Sequence, residues 1–159
     1  SNNVMTRMML LALGAKYGAG PATPRTGAQA VQRVLAAEGL ALPDLVIDNG
    51  AGLSRDGRIS AASLAAMLNA AWSSPRMPEF VSSMAIAGED GTVRRRWREP
   101  ATRGRAHLKT GTLRDTSALA GYVQGASGRR YVIASLVNDP RAYNVRAFND
   151  ELVQWLSRR

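Results

Sequence analysis

The spacing of apolar residues along the first 75 positions predicts three helices. Residues 4–15 are apolar on most sides, which predicts a helix buried in the core. Thr26, with Gln29 three residues later, has the pattern of a capping box for a second helix, which Gly39 ends. Ser60 is placed to cap a third helix. In that helix apolar residues recur at positions i, i+3, i+4 and i+7, namely Leu64, Met67, Leu68 and Ala71.

The second half of the chain changes from helical to alternating patterns. After a short helical turn at residues 79–84, three segments are apolar or alternating and are separated by turn residues. Segments 105–113, 117–125 and 130–138 therefore predict a three-stranded antiparallel meander. Residues 144–157 carry one apolar stripe and predict an amphipathic helix that closes on the sheet. Helices first, then a sheet with a closing helix, predict an α+β fold.

Three strands covered by one helix leave two open sheet edges. The middle and last strands are rich in apolar residues, and such strands usually have neighbours on both sides. We therefore expect that part of the sheet lies outside these 159 residues. We also predict that the strand at 130–138 pairs with a second copy in a homodimer, or is covered by the chain's own terminus.

The composition is that of a globular protein and excludes several kinds of site. Hydrophobic residues make up 45% of the chain and charged residues 21%. The absence of cysteine excludes disulfides, thiolate metal sites and cysteine nucleophiles. A single histidine, His107, excludes a histidine-based metal cluster. No metal or cofactor is predicted, and no catalytic role is expected for His107.

The net charge of +9 comes from arginine, since only Lys16 and Lys109 are lysines. A solvated, arginine-rich surface is the simpler interpretation. The alternative is a basic binding module for an anionic polymer, either nucleic acid or a cell-wall polymer, with the run at 94–98 as its contact. Salt-dependent retention on a DNA column, compared with a neutral matrix, would distinguish the two interpretations.

The chain opens at Ser1, without a methionine and without a signal-peptide pattern. Its longest apolar run, Met8–Ala15, is far shorter than the ~20 residues of a membrane span. We expect a chain without a membrane span that was either processed or cut from a longer polypeptide.

Lys109-Thr110-Gly111-Thr112 is the strongest short motif in the chain. It lies on or just after the first predicted strand, where a lysine offers a positive charge and a glycine lets a substrate backbone approach the strand edge. Thr112 supplies a hydroxyl for a carboxylate and an N–H that can face an oxyanion. The alternative is a strand that simply runs into a turn.

Ser1-Asn2-Asn3 is a second motif, an S-x-N triplet directly before a helix. Taken alone it is explained by helix capping, because serine and asparagine are among the best N-caps. Its significance depends on its combination with K-T-G.

S-x-N and K-T-G are two of the three signatures of the penicillin-recognising serine acyl-enzymes, and the third is S-x-x-K. Further segments, among them DNGAGLSRDGRISAASLAAML and GRAHLKTGTLRDTSALAGYVQ, extend the resemblance over nearly the whole chain. In order, they resemble the C-terminal half of the D-alanyl-D-alanine carboxypeptidase/endopeptidase family, the low-molecular-mass class C penicillin-binding proteins.

This resemblance implies a role for each matching residue. Ser1 would relay a proton between the catalytic lysine, the leaving amine and solvent, and Asn3 would bond a substrate carbonyl and orient that lysine. Lys109 would set the electrostatics of the site. Thr110 and Thr112 would help Lys109 hold the terminal carboxylate of the substrate, and the N–H of Thr112 would form half of the oxyanion hole. Gly111 completes the motif on the substrate-binding side.

The sequence departs from the family pattern at the nucleophile. Neither lysine has a serine three positions before it, since Leu13 precedes Lys16 and Ala106 precedes Lys109. The S-x-x-K serine and its general base are therefore missing from these residues. We expect the chain alone to be inactive.

The resemblance also implies which ligands the parent protein binds, where it is located and how residues 1–159 are divided into parts. Peptidoglycan stem peptides and β-lactams are the expected ligands of the parent protein, in the periplasm, and nucleic acid is not expected. Residues 1–159 would be the C-terminal part of one peptidase domain. Residues 1–100 would form its mainly helical part, and residues 101–159 its sheet and closing helix.

Overall fold

The computed structural model describes residues 2–159, which form two compact units. The first unit ends at Ser63, and the second runs from Leu64 to Arg159. Each is described separately below. The α+β class predicted from the sequence is confirmed. The sequence predicted a mainly helical part up to residue 100 and a part with the sheet and closing helix after it. That division stays a prediction.

Two helices, α1 (Asn3–Tyr17) and α2 (Pro24–Ala37), pack closely in the first unit. Glycine makes this approach possible: a β-carbon on Gly27 would lie 2.2 Å from the carbonyl oxygen of Leu10. A β-carbon on Gly14 would lie 2.7 Å from Thr26 Oγ1. The two helices therefore touch through their backbones, which no larger residue at these positions would allow.

The start of α2 differs from the sequence prediction, whereas its end agrees with it. The N-cap of α2 is Thr23, whose side chain accepts from the N–H of Thr26, so Thr26 is the last residue of the capping box (N3) and not its first. The prediction missed this because Pro24 starts the helix inside a Pro/Gly-rich segment. Gly39, with φ of +77°, follows the helix end as predicted.

The prediction that α1 is buried is wrong. Only Leu10 and Gly14 are buried in α1. Large apolar side chains near its start are more than half exposed, namely Val4, Met5, Met8 and Met9. The high apolar content reflects a helix that packs on one side and presents methionines on another.

Asp44 forms hydrogen bonds with two serines near the end of the first unit. Its carboxylate accepts from the N–H of Ser60 and from the hydroxyl of Ser63, each at 2.5 Å. Ser60 in turn caps α3 (Ala61–Trp72) by accepting from the N–H of Ser63, as predicted. The hydrogen bonds from Ser63 and then Ser60 lower the pKa of Asp44 from 3.8 to about 2.

The second unit is built on a four-stranded antiparallel sheet of order β1-β2-β3-β4. The strands are β1 (Ala85–Ile86), β2 (Ala106–Leu113), β3 (Thr116–Gln124) and β4 (Arg130–Asn138). The last three are the predicted meander. The two-residue β1 is additional and follows α4 (Met77–Ser82). It pairs with β2 at His107 and Leu108 only. β4 is the other edge strand, and homodimer pairing through it stays a prediction.

Each face of the sheet carries its own apolar cluster. One cluster joins Leu108, Leu119 and Val123 to the closing helix, α5 (Val145–Ser157), as the sequence predicted. The other centres on Tyr122, which packs with Leu68 and Trp72 of α3. The Tyr122 hydroxyl donates to the carbonyl oxygen of Leu68 at 2.6 Å, and burial raises the pKa of Tyr122.

Gly121 allows the backbones of β2 and β3 to approach each other closely. Its φ is +145°, and a β-carbon there would lie 2.1 Å from the carbonyl oxygen of His107 and 3.1 Å from the Cα of Leu108. This contact fixes the register in which Gly121 lies opposite Leu108. No residue with a side chain fits this position without separating the strands.

We predict that Gly121→Ala destabilises the fold strongly, because it adds both overlap with β2 and backbone strain. The expected loss is about 3 kcal/mol, or a fall in melting temperature of roughly 6–12 °C, measured by thermal unfolding. Gly128→Ala is the matched control. Gly128 also has a positive φ, +82°, but open space around it. Equal losses in the two variants would contradict the close-approach argument.

We also predict an acid-dependent contribution from Asp44. Its lowered pKa means that its stabilising effect is complete above about pH 4 and is lost as the pH falls toward 2. Urea unfolding of wild type and Asp44→Asn should therefore differ at pH 6 and converge near pH 2. Asp56→Asn, which removes an exposed carboxylate outside this cluster, is the control. A wild-type advantage unchanged at pH 2 would contradict the assignment.

Candidate active site

The K-T-G motif lies in the second half of β2, where side chains alternate between the two faces of the sheet. In the register with β3, Lys109 is opposite Ala120 and Gly111 is opposite Ala118. Lys109 and Gly111 therefore lie on the face that carries α3, while Thr110 alternates to the other face. Lys109 is exposed, and its Nζ donates to the carbonyl oxygen of Thr110 at 2.7 Å.

Backbone hydrogen bonds show which edge of β2 is open. The carbonyl of Arg105 accepts from Gln124 at the end of β3, whereas the carbonyl of Ala106 accepts from Ala87 on the opposite side. Because successive peptide groups of an antiparallel strand point to alternate sides, the even-numbered residues direct N–H and C=O away from β3. The peptide groups of Thr110 and Thr112 thus face the outer edge.

Beyond Leu108, no other strand within residues 2–159 occupies that outer edge. The backbone at Thr110 and Thr112 pairs with no strand among the described residues, although the Thr110 carbonyl accepts from Lys109 Nζ, so this edge can take an extended peptide as an added strand. Lys109 supplies a positive charge beside it. This combination was predicted from the motif, but the open edge follows from the shortness of β1.

Gly111 has a second role in the sheet itself. A β-carbon there would lie 3.3 Å from the β-carbon of Ala118, a tighter contact than is usual. The absence of a side chain thus keeps β2 and β3 close where the motif lies, as well as leaving the surface above the strand clear.

A groove of about 350 Å³ lies beside the motif. The motif residues Lys109, Thr110 and Gly111 line one side of it. The rest is mainly apolar and comes from α3, from the α4 region and from β3, namely Leu64, Met67, Leu68, Phe80, Ser83, Met84, Ala118 and Ala120.

Sequence reasoning missed most of this lining and also missed Thr92. The Thr92 hydroxyl shares a hydrogen bond with the Thr110 hydroxyl at 2.8 Å and so links the segment before β2 to the motif. No short motif marks Thr92. The apolar lining could have been found from the alternation of residues 118, 120 and 122 on one face of β3.

The S-x-N motif lies in the first unit. Ser1 is outside the described residues, and Asn3 is the first residue of α1. Asn2 caps the helix by accepting from the N–H of Met5 at 3.0 Å. The Thr6 hydroxyl donates to the carbonyl oxygens of Asn2 and Asn3, each at 3.2 Å. These bonds hold the backbone of Asn3 in place.

The loop around Gly50 supports the same turn of α1. A β-carbon on Gly50 would lie 3.0 Å from both the carbonyl oxygen of Thr6 and the β-carbon of Leu10. Asn49 shapes the loop by donating to the carbonyl of Leu53 and accepting from the N–H of Ala51. The loop therefore packs its backbone directly on the first turns of the helix.

Two classes of feature are not found in the part of the chain that the structure describes. Residues 2–159 contain no group of three or more acidic or histidine side chains that could hold a metal ion. Within the same range, no helix has the length and apolar character needed to cross a membrane. His107 is half-buried on β2, and its Nδ1 has no hydrogen-bond partner among the described residues.

The chain is similar to known bacterial carboxypeptidases over most of its length. The D-alanyl-D-alanine carboxypeptidase of Actinomadura sp. (strain R39) is 34% identical over 144 residues, which are 87% of this chain and 26% of that protein. Carboxypeptidase DacB of Mycolicibacterium smegmatis is 31% identical over 145 residues, 87% of this chain and 31% of that protein. The chain thus spans about a third or less of these relatives.

Among solved structures, penicillin-binding protein 4 of Haemophilus influenzae, in complex with a β-lactam, superposes with a TM-score of 0.83. The match covers 96% of this chain and 39% of that protein, and at 23% identity it supports the fold alone. The family model for D-Ala-D-Ala carboxypeptidase 3 (S13) matches residues 1–159. Since this match covers the whole length, the chain belongs to the D-Ala-D-Ala carboxypeptidase 3 (S13) family.

Proposed function

We propose that this chain supplies the S-x-N and K-T-G elements of a serine-type D-Ala-D-Ala peptidase. The observation that carries the proposal is the open edge of β2, where the peptide groups of Thr110 and Thr112 face outward beside Lys109 and an apolar groove. The substrate is a peptidoglycan stem peptide, hydrolysed through an acyl-enzyme, and β-lactams bind at the same place. The protein acts outside the cytoplasm, in the periplasm.

The chemistry of the site follows from charge and geometry. A stem peptide ending in D-Ala-D-Ala adds to the edge of β2 as a short strand, with its terminal carboxylate near Lys109 and the hydroxyls of Thr110 and Thr112. The Thr112 N–H, already directed to the open edge, stabilises the negative oxygen that develops on the penultimate residue's carbonyl. The Thr110 hydroxyl, shared with Thr92, is oriented before the substrate arrives.

The nucleophile belongs to a part of the polypeptide beyond these residues. The two lysines of the chain follow Leu13 and Ala106 at the S-x-x-K spacing, so neither belongs to that motif. In the proposed reaction a serine oxygen attacks the carbonyl of the penultimate D-alanine, and the terminal D-alanine leaves with a proton. Water then hydrolyses the ester and regenerates the serine. Ser1 passes the proton to the leaving amine, and Asn3 orients the catalytic lysine.

We expect Lys109→Ala to lower the rate of covalent labelling by fluorescent penicillin by about 100-fold or more. The test uses the longer polypeptide that contains both this chain and the S-x-x-K serine, with labelling followed on gels over time. Lys16→Ala, which removes the other lysine and the same charge, should label at the wild-type rate. Residues 1–159 alone should remain unlabelled. Wild-type labelling by Lys109→Ala, or a longer polypeptide that never labels, would overturn the proposal.

The contact between Gly50 and α1 gives a second prediction, for the positioning of Asn3. In the same longer polypeptide, Gly50→Ala should slow acylation by about tenfold, since a displacement of about 1 Å in an active site is costly. Gly52→Ala is a matched control, because both glycines have φ of +73° but nothing lies within 4 Å of a β-carbon on Gly52. If both variants slowed acylation equally, backbone strain would be the cause. That result would contradict the proposal that Gly50 positions Asn3 through α1.

A further inference from the structure

A cluster of arginines lies in the segment that connects β1 to β2. Residues 87–105 contain six arginines and three acidic residues. Four of these arginines line one cavity of about 240 Å³ together with Gly88, namely Arg94, Arg95, Arg98 and Arg103. Four of the 21 basic residues of the chain thus surround one concave surface, which the net charge alone does not show.

The wall of this cavity is held by close backbone packing at Gly88. Gly88 has φ of +73°, and a β-carbon there would lie 2.6 Å from the carbonyl oxygen of Trp97. The same atom would lie 3.3 Å from the Cα of Arg98 and 3.1 Å from Cγ of Arg103. Two separate parts of the segment, residues 97–98 and Arg103, thus converge on a residue that has no side chain.

Trp97 separates the arginine that binds α5 from those that line the cavity. It is 4% exposed and is the one non-glycine residue with positive φ, +54°, among residues 2–159. Its Nε1 donates to the carbonyl of Asp150, and Arg96 pairs with the Asp150 carboxylate at 2.7 Å. An unfavourable backbone angle persists only where surrounding contacts hold it, and it is often associated with function.

Most of the cavity charge is not neutralised by the protein. Arg103 pairs with Glu89 at 3.0 Å. Within the described part of the chain, Arg94, Arg95 and Arg98 have no carboxylate at ion-pair distance. The four arginines are exposed, so water and salt screen part of the repulsion among their like charges, and a bound anion relieves the rest.

We propose that this cavity binds a phosphate group, as inorganic phosphate or a phosphomonoester. Guanidinium groups present paired N–H donors that match phosphate oxygens, and several can contact one tetrahedral anion from different directions. The cavity volume exceeds the ~30 Å³ of one water several-fold. The site uses neither Lys109 nor Asn3, so it stands independently of the proposed peptidase function.

The test is a titration of the chain with inorganic phosphate, followed by calorimetry and by NMR of the arginine Nε–H groups. One variant combines Arg94→Gln, Arg95→Gln and Arg98→Gln. The control combines Arg25→Gln, Arg129→Gln and Arg158→Gln, which remove the same charge from exposed arginines outside the cavity lining. Succinate serves as a dicarboxylate comparison, and thermal unfolding checks that both variants are folded.

Saturable phosphate binding should be retained in the control and weakened about tenfold or more in the cavity variant. Binding should weaken as NaCl is raised, and Arg94, Arg95 and Arg98 should show the largest Nε–H shifts. An equal loss in both variants would show that net charge alone attracts phosphate and would overturn the site. Succinate that binds as tightly as phosphate, or a wild-type chain without saturable binding, would also overturn the proposal.

Discussion

The contact between Gly121 and the carbonyl of His107 is the constraint on which the second unit depends. It allows β3 to lie against β2 with no side chain between them and fixes the register of the pair. That register places Lys109 opposite Ala120 and Gly111 opposite Ala118, so small residues surround the motif on its own face. It also determines which peptide groups of β2 bond to β3, and those of Thr110 and Thr112 face the other edge. The close approach thus orients the motif in the sheet, and the shortness of β1 leaves the edge at Thr110 and Thr112 open.

The sequence was sufficient for elements whose pattern is local. The alternation in β2, β3 and β4 and the apolar stripe of α5 predict those elements within one or two residues, because side-chain periodicity decides them. The motif residues Lys109 to Thr112 were found for the same reason. Ser60 was identified as a cap because its side chain bonds three residues ahead, within the same turn.

What the sequence could not provide depends on contacts between distant residues. β1 has only two residues and exists because it pairs with His107 and Leu108, so no periodicity predicts it. Thr92 bonds Thr110 across 18 residues of chain, and the groove lining combines residues from α3 to β3. The exposure of Met5 and Met8 was mispredicted because composition does not reveal which face of a helix finds a partner.

The segment between β1 and β2 joins the two chemical features of this unit. It begins where β1 ends its pairing with β2, and it reaches the motif again through the hydrogen bond between Thr92 and Thr110. Its far side is fixed to α5 through Asp150. The same fixed segment therefore leaves the edge of β2 free and holds arginines around a cavity. A net charge of +9 distributed over a surface would require no such anchoring. The buried Trp97, its positive φ and the unpaired arginines are better explained by a segment shaped to hold charge at a defined place.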